Sequence, residues 1–413
     1  MIAFATAVAT CAGAAEAARE AARRAVESLG TAPALTMAFT SSYDDVGDVP
    51  AALRCEVCAG PIVGGSVAGA IFAGGEVSEQ GVLVCVLGGE GVRASTVEAP
   101  VGGSDSLEVV PAAAQVHDEA DRAAAAGFGE ALCLAFCPGV RVDGETFAAA
   151  IRKGTGARIQ LAGALTGDDA GPTAPVIFAG DRVHTDRVVL SGIFTRTSAG
   201  VVARHGCRAV GPARVVTRSD GPWLMELDGL PALDVWLADA RDAGFRPSSG
   251  GEPLHVQLAH RNALGLDVQS HVEPIVRAPV GLRHDGAVSL AAGIPEGTRV
   301  RVMQASPADM LDASAWAGRV ARERAGGRCA GAVVFASESR RAALGDRFDE
   351  EASLIARAVE APVAGACVRG ELARAHREID AFHNATAVVL AWPGRAGRSG
   401  VSSELSLRSS LRT

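Results

Sequence analysis

The sequence predicts an α/β protein built from three βαβαββ repeats, with mixed sheets covered by helices and a β-rich insertion. Three observations predict it. First, residues 61–70 (PIVGGSVAGA) return in near-copy at 159–168 (IQLAGALTGD) and at 362–371 (PVAGACVRGE). Each copy is an apolar run broken by a glycine (Gly64, Gly163, Gly365) and ended by a second (Gly69, Gly167, Gly370). That pattern reads as a buried strand running into an open turn. Second, each copy follows a stretch with apolar residues three and four apart, at 49–57, 147–151 and 353–359, which is helical spacing. Ahead of each helix stands an apolar strand, at 35–40, 132–137 and 332–337. Third, a further strand follows each copy, at 81–87, 188–194 and 385–390.

In chain order, unit one opens with a strand at 2–8 and an Ala/Arg-rich helix at 14–29 that Gly30 stops. The strand at 36–42 leads to Asp44 and Asp45, placed to cap the next helix. Unit two has its first strand at 93–97, a Gly/Ser/Asp loop at 102–106 and a helix at 112–126 closed by Gly127. Cys133 and Cys137 are four apart on its second strand and face the same way. Residues 199–298 break the rhythm. They hold an alternating stretch at 201–216, a hairpin strand at 223–229 and a helix at 231–240 with proline in its first turn. A polar loop at 244–252 and short strands at 254–258, 274–277 and 287–291 follow. Unit three resumes with a strand at 298–303 and a helix at 310–324, and residues 393–413 have the composition of a disordered tail.

At 413 residues the chain suits two or three domains, and 48% hydrophobic against 21% charged residues is ordinary for a globular protein. A net charge of -8 and a single tyrosine, Tyr43, argue against nucleic acid, which needs a basic face and stacking platforms. Nine cysteines without a framework of spacings fit a reducing compartment, so the expectation is a cytoplasmic protein. The apolar start lacks the Lys or Arg of a signal peptide, and no apolar run reaches the length of a membrane span.

These residues resemble the FIST family, the F-box and intracellular signal transduction domain, in its N-terminal and C-terminal parts. The N-terminal pattern is carried by 62–69 and 160–168; the C-terminal pattern by 205–212 (HGCRAVGP), Val216 and Thr217, 226–233, 294–297, Glu350 and Glu351, 362–371 and 383–386 (HNAT). The resemblance covers roughly residues 1–392 and divides the chain into a FIST N-like domain at 1–198 and a FIST C-like domain at 199–392. It implies two FIST-like halves and a sensory role: binding of an amino acid or similar small polar metabolite, with the signal passed to a separate protein. In place of the cysteine that often follows the strand phenylalanine in that family, this chain has Ser337 after Phe335, which removes thiol chemistry there.

The expected ligand site is the set of glycine turns, whose uncovered N–H groups suit carboxylates: Gly64, Gly65, Ser66, Gly69, Gly163, Thr166 and Gly365. The same pattern also permits close packing. Arg369 and Glu371 supply opposite charges for a zwitterion, Asp168 with Asp169 a partner for a cation, and Ser337 and Arg340 a loop after a buried strand. Salt bridges and turns account for the same residues equally well. Cys55 and Cys58 have redox spacing but sit at the end of a helix, where a thiolate gains nothing. No metal site is expected. Haem through His205, His376 or His383 remains an alternative, as does a scaffold or assembly subunit without ligand, including a homo-oligomer. No nucleophile elbow is present, and the expectation is a binding protein rather than an enzyme.

Overall fold

The computed structural model describes residues 1–101, 108–139, 142–167, 174–247, 253–267, 274–374 and 381–394. Unit one runs β1 (Ala3–Ala9), α1 (Ala14–Leu29), β2 (Pro33–Ser41), α2 (Val49–Glu56), β3 (Ile62–Ser66), the hairpin β4 (Ile71–Ala73) and β5 (Glu76–Ser78), and β6 (Gly81–Gly88). Unit two repeats it as β7 (Val92–Pro100), α3 (Val109–Ala125), β8 (Glu130–Pro138), α4 (Gly144–Thr155), β9 (Gln160–Thr166), the hairpin β10 (Ile177–Ala179) and β11 (Arg182–His184), and β12 (Arg187–Thr195).

Unit three begins with β13 (Gly200–Arg204), and the insertion follows it. The insertion holds β14 (Arg208–Ala209), β15 (Arg214–Asp220), β16 (Trp223–Leu227), β17 (Leu230–Pro231), α5 (Ala232–Asp242), α6 (Leu254–Arg261), β18 (Leu264–Leu266), β19 (Ile275–Arg277), β20 (Pro279–Leu282), β21 (Val288–Leu290) and β22 (Arg299–Gln304). The unit then completes itself as α7 (Pro307–Arg324), β23 (Cys329–Ser337), α8 (Glu338–Leu344), α9 (Phe348–Val359), β24 (Val363–Val368), the hairpin β25 (Gly370–Arg374) and β26 (Ala381–His383), and β27 (Ala387–Pro393).

No unit finishes its own sheet. The three sheets run β1-β6-β2-β3-β10-β11, β26-β25-β9-β8-β12-β7 and β13-β27-β23-β24-β4-β5. In each, four strands come from one unit and the outer hairpin from another: unit two completes sheet one, unit three completes sheet two and unit one completes sheet three. The exchange closes the units into a ring. Within each sheet the pairs β2 with β3, β8 with β9 and β23 with β24 are parallel, joined by the helical crossover that parallel pairing requires.

At the centre of the ring, Phe39, Phe136 and Phe335 hold matching places in β2, β8 and β23. They meet edge to face, with ring centroids 5.7 Å, 6.1 Å and 5.7 Å apart around the triangle. Their strands' inner faces form one core; the outer faces pack under α1 and α2, α3 and α4, and α7 and α9. The alternation of β-strand side chains explains why strands read as unbroken apolar runs: both faces are covered.

Helix ends follow the residues that cause them. Gly30 takes φ 68° and closes α1, and Ser306 with Asp309 forms a capping box at the start of α7. Asp44 and Asp45 do not cap α2: Asp48 stands at its N-cap without a side-chain bond, and Asp45 Oδ1 instead accepts from the Gly47 N–H. The stretch at 254–258 is helix rather than strand. Its Leu-x-Val-x-Leu alternation imitates a strand, but Pro253 starts α6 and the i, i+4 pair of Leu254 and Leu258 decides the outcome. The insertion has its own core, where Trp236 Nε1 donates to the Asn262 carbonyl at 2.7 Å. The loop at 102–106, most of that at 244–252, and residues 395–413 of the predicted tail lie outside the described residues.

Candidate functional site

Ligands of open α/β sheets bind beyond the carboxyl ends of parallel strands, where loops diverge and backbone groups are uncovered. A cavity of about 670 Å³ lies at that end of unit three and unit two. Ser337 ends β23, Arg369 follows β24, Gly139 follows β8 and Leu165 lies near the end of β9. Phe382 and Asn384 come from the hairpin that unit three gives to sheet two, and the insertion supplies the opposite wall with His255, Val256 and Pro279.

The polar groups converge from separate elements. Ser337 Oγ accepts from the Ala385 N–H at 3.2 Å and lies 2.9 Å from Ser339 Oγ. Asn384 Oδ1 accepts from the Ala278 N–H at 3.4 Å, tying the body to the insertion. Arg369 is partly exposed, and its Nε stands 3.9 Å from Glu338 Oε2, beyond hydrogen-bond reach. That Nε is shielded from water and has no hydrogen-bond partner. Arg369 itself lines the cavity, and its guanidinium carries five N–H donors.

Behind Ser337 lies Glu371, wholly buried. Its Oε2 accepts from the Thr386 N–H at 3.3 Å and it takes a side-chain hydrogen bond from Ser337, while Oε1 has no partner. Burial pushes the Glu371 carboxyl well above the usual range, outweighing the hydrogen bonds and the nearby Arg340. The repeat shows this carboxyl to be exceptional. Phe72, Phe178 and Leu372 oppose Gly365, Gly64 and Gly163, so the residues before them correspond: Ile71, Ile177 and Glu371.

Several sequence-predicted site residues have other duties. Arg340 is buried away from the cavity, paired with Glu351 and donating also to the carbonyls of His205, Ala385 and Met310. The glycine turns are not turns: Gly64, Gly163 and Gly365 stand inside β3, β9 and β24. A Cβ on Gly64 would lie 1.9 Å from the Ala38 carbonyl oxygen, on Gly163 2.0 Å from that of Ala135, and on Gly365 1.9 Å from the Phe72 ring. Gly65 is equally crowded, against the Val176 carbonyl. These glycines serve packing. Gly69 turns the chain between β3 and β4. Thr166 is buried and donates to the Cys137 carbonyl. Ser66 accepts from the Val176 N–H and lines a separate, smaller cavity. Asp168, Asp169 and His376 lie outside the described residues.

Of the predicted set, the structure brings Ser337 and Arg369 to the cavity, with Glu371 behind them. Sequence reasoning missed Glu338, Ser339, Asn384, Phe382 and His255, which line the same cavity as Arg369. Asn384 stands in the HNAT segment, but His255 was hidden by the strand reading of α6. Both ring nitrogens of His205 are engaged: Nδ1 accepts from the Cys207 N–H at 2.7 Å and Nε2 donates to the Pro274 carbonyl at 3.0 Å. Cys55 and Cys58 are exposed and unbonded to each other. Among the described residues, no group of three or more His, Cys, Asp or Glu could hold a metal ion, and no helix is long and apolar enough to cross a membrane.

The insertion is pinned beside the cavity by Arg277. This buried side chain pairs with Glu145 of α4 at 2.5 Å and donates to the Phe382 carbonyl at 2.8 Å.

Compared with known proteins, residues 34–230 match the family model of the FIST N domain and residues 232–374 that of the FIST C domain. No curated protein matches the chain. Among solved structures, the crystal structure of cyanuic acid hydrolase from A. caulinodans is 13% identical, covers 48% of this chain and 72% of its own, and has a TM-score of 0.26. A likeness of that strength carries no argument.

Proposed function

This chain belongs to the FIST family, whose domains are associated with small-ligand sensing in signal transduction, and from that premise we propose that its 670 Å³ cavity binds an amino-acid-like metabolite. The observation that carries the reading is Arg369, a partly exposed guanidinium that lines a roomy cavity and whose ion pair with Glu338 is long, at 3.9 Å. A carboxylate on the ligand would complete it, since a guanidinium binds carboxylates through paired N–H donors. Glu338 beside it offers the opposite charge for an ammonium, and Ser337, Ser339 and Asn384 offer hydrogen bonds to the remainder. Glu338 takes the role that the sequence suggested for Glu371, because Glu371 is buried behind Ser337 and held toward its neutral form.

Signalling follows from where the cavity lies. One wall belongs to the ring of units and the other to the insertion, so a ligand touching both favours the arrangement in which they are closed. Its effect is limited by its differential affinity for that arrangement. The output passes to a separate protein, and the reading is one of reversible binding rather than turnover, in a cytoplasmic protein.

Calorimetric titration of the whole chain with a panel of amino acids and the matched amines and carboxylic acids tests the proposal. A zwitterion should bind more tightly than either matched compound, and Arg369→Ala should weaken it by about tenfold or more, the size of a lost charge-assisted hydrogen bond. Unchanged affinity in Arg369→Ala, or no saturable binding across the panel, would sink it.

A further inference from the structure

The ring places three related clefts at the carboxyl ends of its three parallel strand pairs, and the cavity described above is one of them. Its Gly139, Leu165, Phe382 and Asn384 correspond, through the strand registers, to Ser42 and Ser66 of unit one and to Val183 and Thr185 of the hairpin that unit two gives to sheet one. Those four line the second cavity, of about 320 Å³. At sheet three the corresponding residues are Glu338 and Cys367 of unit three and Val77 and Glu79 of the hairpin that unit one supplies. There the cleft is spanned by an internal ion pair, Arg341 Nη2 to Glu79 Oε1 at 2.5 Å.

We infer that the unit-one cleft is a second ligand site, selective for a small primary amine with a hydrogen-bonding group at its far end. Its chemistry is opposite to that of the larger cavity. Asp44 and Asp45 stand exposed at its mouth, and no Lys, Arg or His lines it among the described residues. Asp44 has no ion-pair partner among the described residues, so an ammonium would meet an uncompensated carboxylate. Val46, Val67, Val176 and Val183 form apolar walls for a short carbon chain. Thr40 lies among the lining residues, 2% exposed, and its hydroxyl has no hydrogen-bond partner. A buried hydroxyl left unpaired costs free energy, and a ligand's polar tip would recover it.

The related cleft in unit three supports the charge assignment. Asp45 and Arg341 both stand six residues after their axial phenylalanine, Phe39 and Phe335. In unit three the cationic group reaching across the cleft is the protein's own; in unit one the same position is an acid.

The test is titration of the whole chain with 4-amino-1-butanol, with n-butylamine lacking the far hydroxyl and with 4-hydroxybutyrate lacking the ammonium. The amino alcohol should bind saturably and 4-hydroxybutyrate should not. The double variant Asp44→Asn, Asp45→Asn should weaken binding about tenfold or more; both side chains are exposed, so the fold is kept. Thr40→Val should remove the preference for the amino alcohol over n-butylamine, with a melting curve to show that the variant is folded. Failure of every amine to bind, equal affinity in the double variant, or loss of amine binding in Arg369→Ala would overturn the inference. The last outcome would place the amine in the larger cavity, and the zwitterion panel tests that cavity separately.

Discussion

Arg340 Nη2 lies 2.5 Å from Glu351 Oε1, and neither side chain reaches water. The Arg340 guanidinium also meets Ser314 Oγ and three backbone carbonyls, so the pair ties α7, α8 and α9 to the start of the insertion. Such pairs gain little over an apolar replacement but are costly to half-remove, because the remaining charge is stranded. Glu351→Leu should therefore lower stability by about 3–5 kcal/mol. The double variant Arg340→Met, Glu351→Leu should recover much of that loss in urea unfolding. Because Arg340 does not line the cavity, the folded double variant should keep its ligand affinity.

Glycines assigned to packing make a different prediction from glycines that touch ligand. Gly163 has φ +152°, and a Cβ there would stand 2.0 Å from backbone that cannot yield. Gly163→Ala should cost about 3 kcal/mol or more in stability, as overpacking against fixed atoms does. Gly74 is the control: it also has positive φ but nothing lies within 4 Å of its Cβ position. Gly74→Ala should cost about 1 kcal/mol, the backbone penalty alone. Equal costs at the two positions in thermal unfolding would refute the packing assignment.

Much of the ring was legible because its cause is local. The apolar strands at 35–40, 132–137 and 332–337 and the glycine runs after them recur with the same spacing, and α1 ends where Gly30 stands. What was not legible is the exchange of hairpins. Ile71 pairs with Ala366 and Ile177 with Gly65, partners more than a hundred residues apart whose pairing no local period records. The site inherited that gap. A motif at 362–371 showed that Arg369 and Glu371 are neighbours in sequence, but the chain passes from one sheet to another between them: Arg369 stands in the junction after β24, and Glu371 is already in β25 of sheet two. Arg369 reaches the cavity, whereas Glu371 points into the space that Ile71 and Ile177 fill in the other sheets. The insertion, with no repeat to check against, was read least well, and its α6 brings His255 to the cavity wall.

His205 should make the protein acid-sensitive. Burial lowers its imidazole from about 6.5 to about 4, with Arg340 and Arg204 acting in the same direction. The unfolded chain therefore takes up the proton first. Stability from the neutral ring is complete above pH 6.5 and falls as pH drops toward 4, by about 3 kcal/mol in all. Comparing His205→Asn with the parent by urea unfolding at pH 7 and pH 5 checks this. The variant, having no titrating group there, should lose less on acidification.

Glu371 should act with the opposite sign, and the two residues together set a pH profile that neither shows alone. Its folded pKa is raised above the ordinary 4.5, so between that value and the raised one the folded protein holds a proton that the unfolded chain has released. Stability from this group is present in full below pH 4.5 and is lost as pH rises, with a slope of at most about 1.4 kcal/mol per pH unit. Between pH 4.5 and 6.5 the losses from Glu371 and the gains from His205 oppose each other, which flattens the parent's profile. Glu371→Gln keeps the hydrogen bonds and removes the proton. Its stability relative to the parent should rise as pH rises above 4.5, and its own profile should show the His205 slope uncovered. Glu371→Ile, which restores the residue of the other two repeats, should show the same uncovered slope. If both variants instead track the parent across that range, Glu371 is ionised in the folded protein and the proton is held elsewhere.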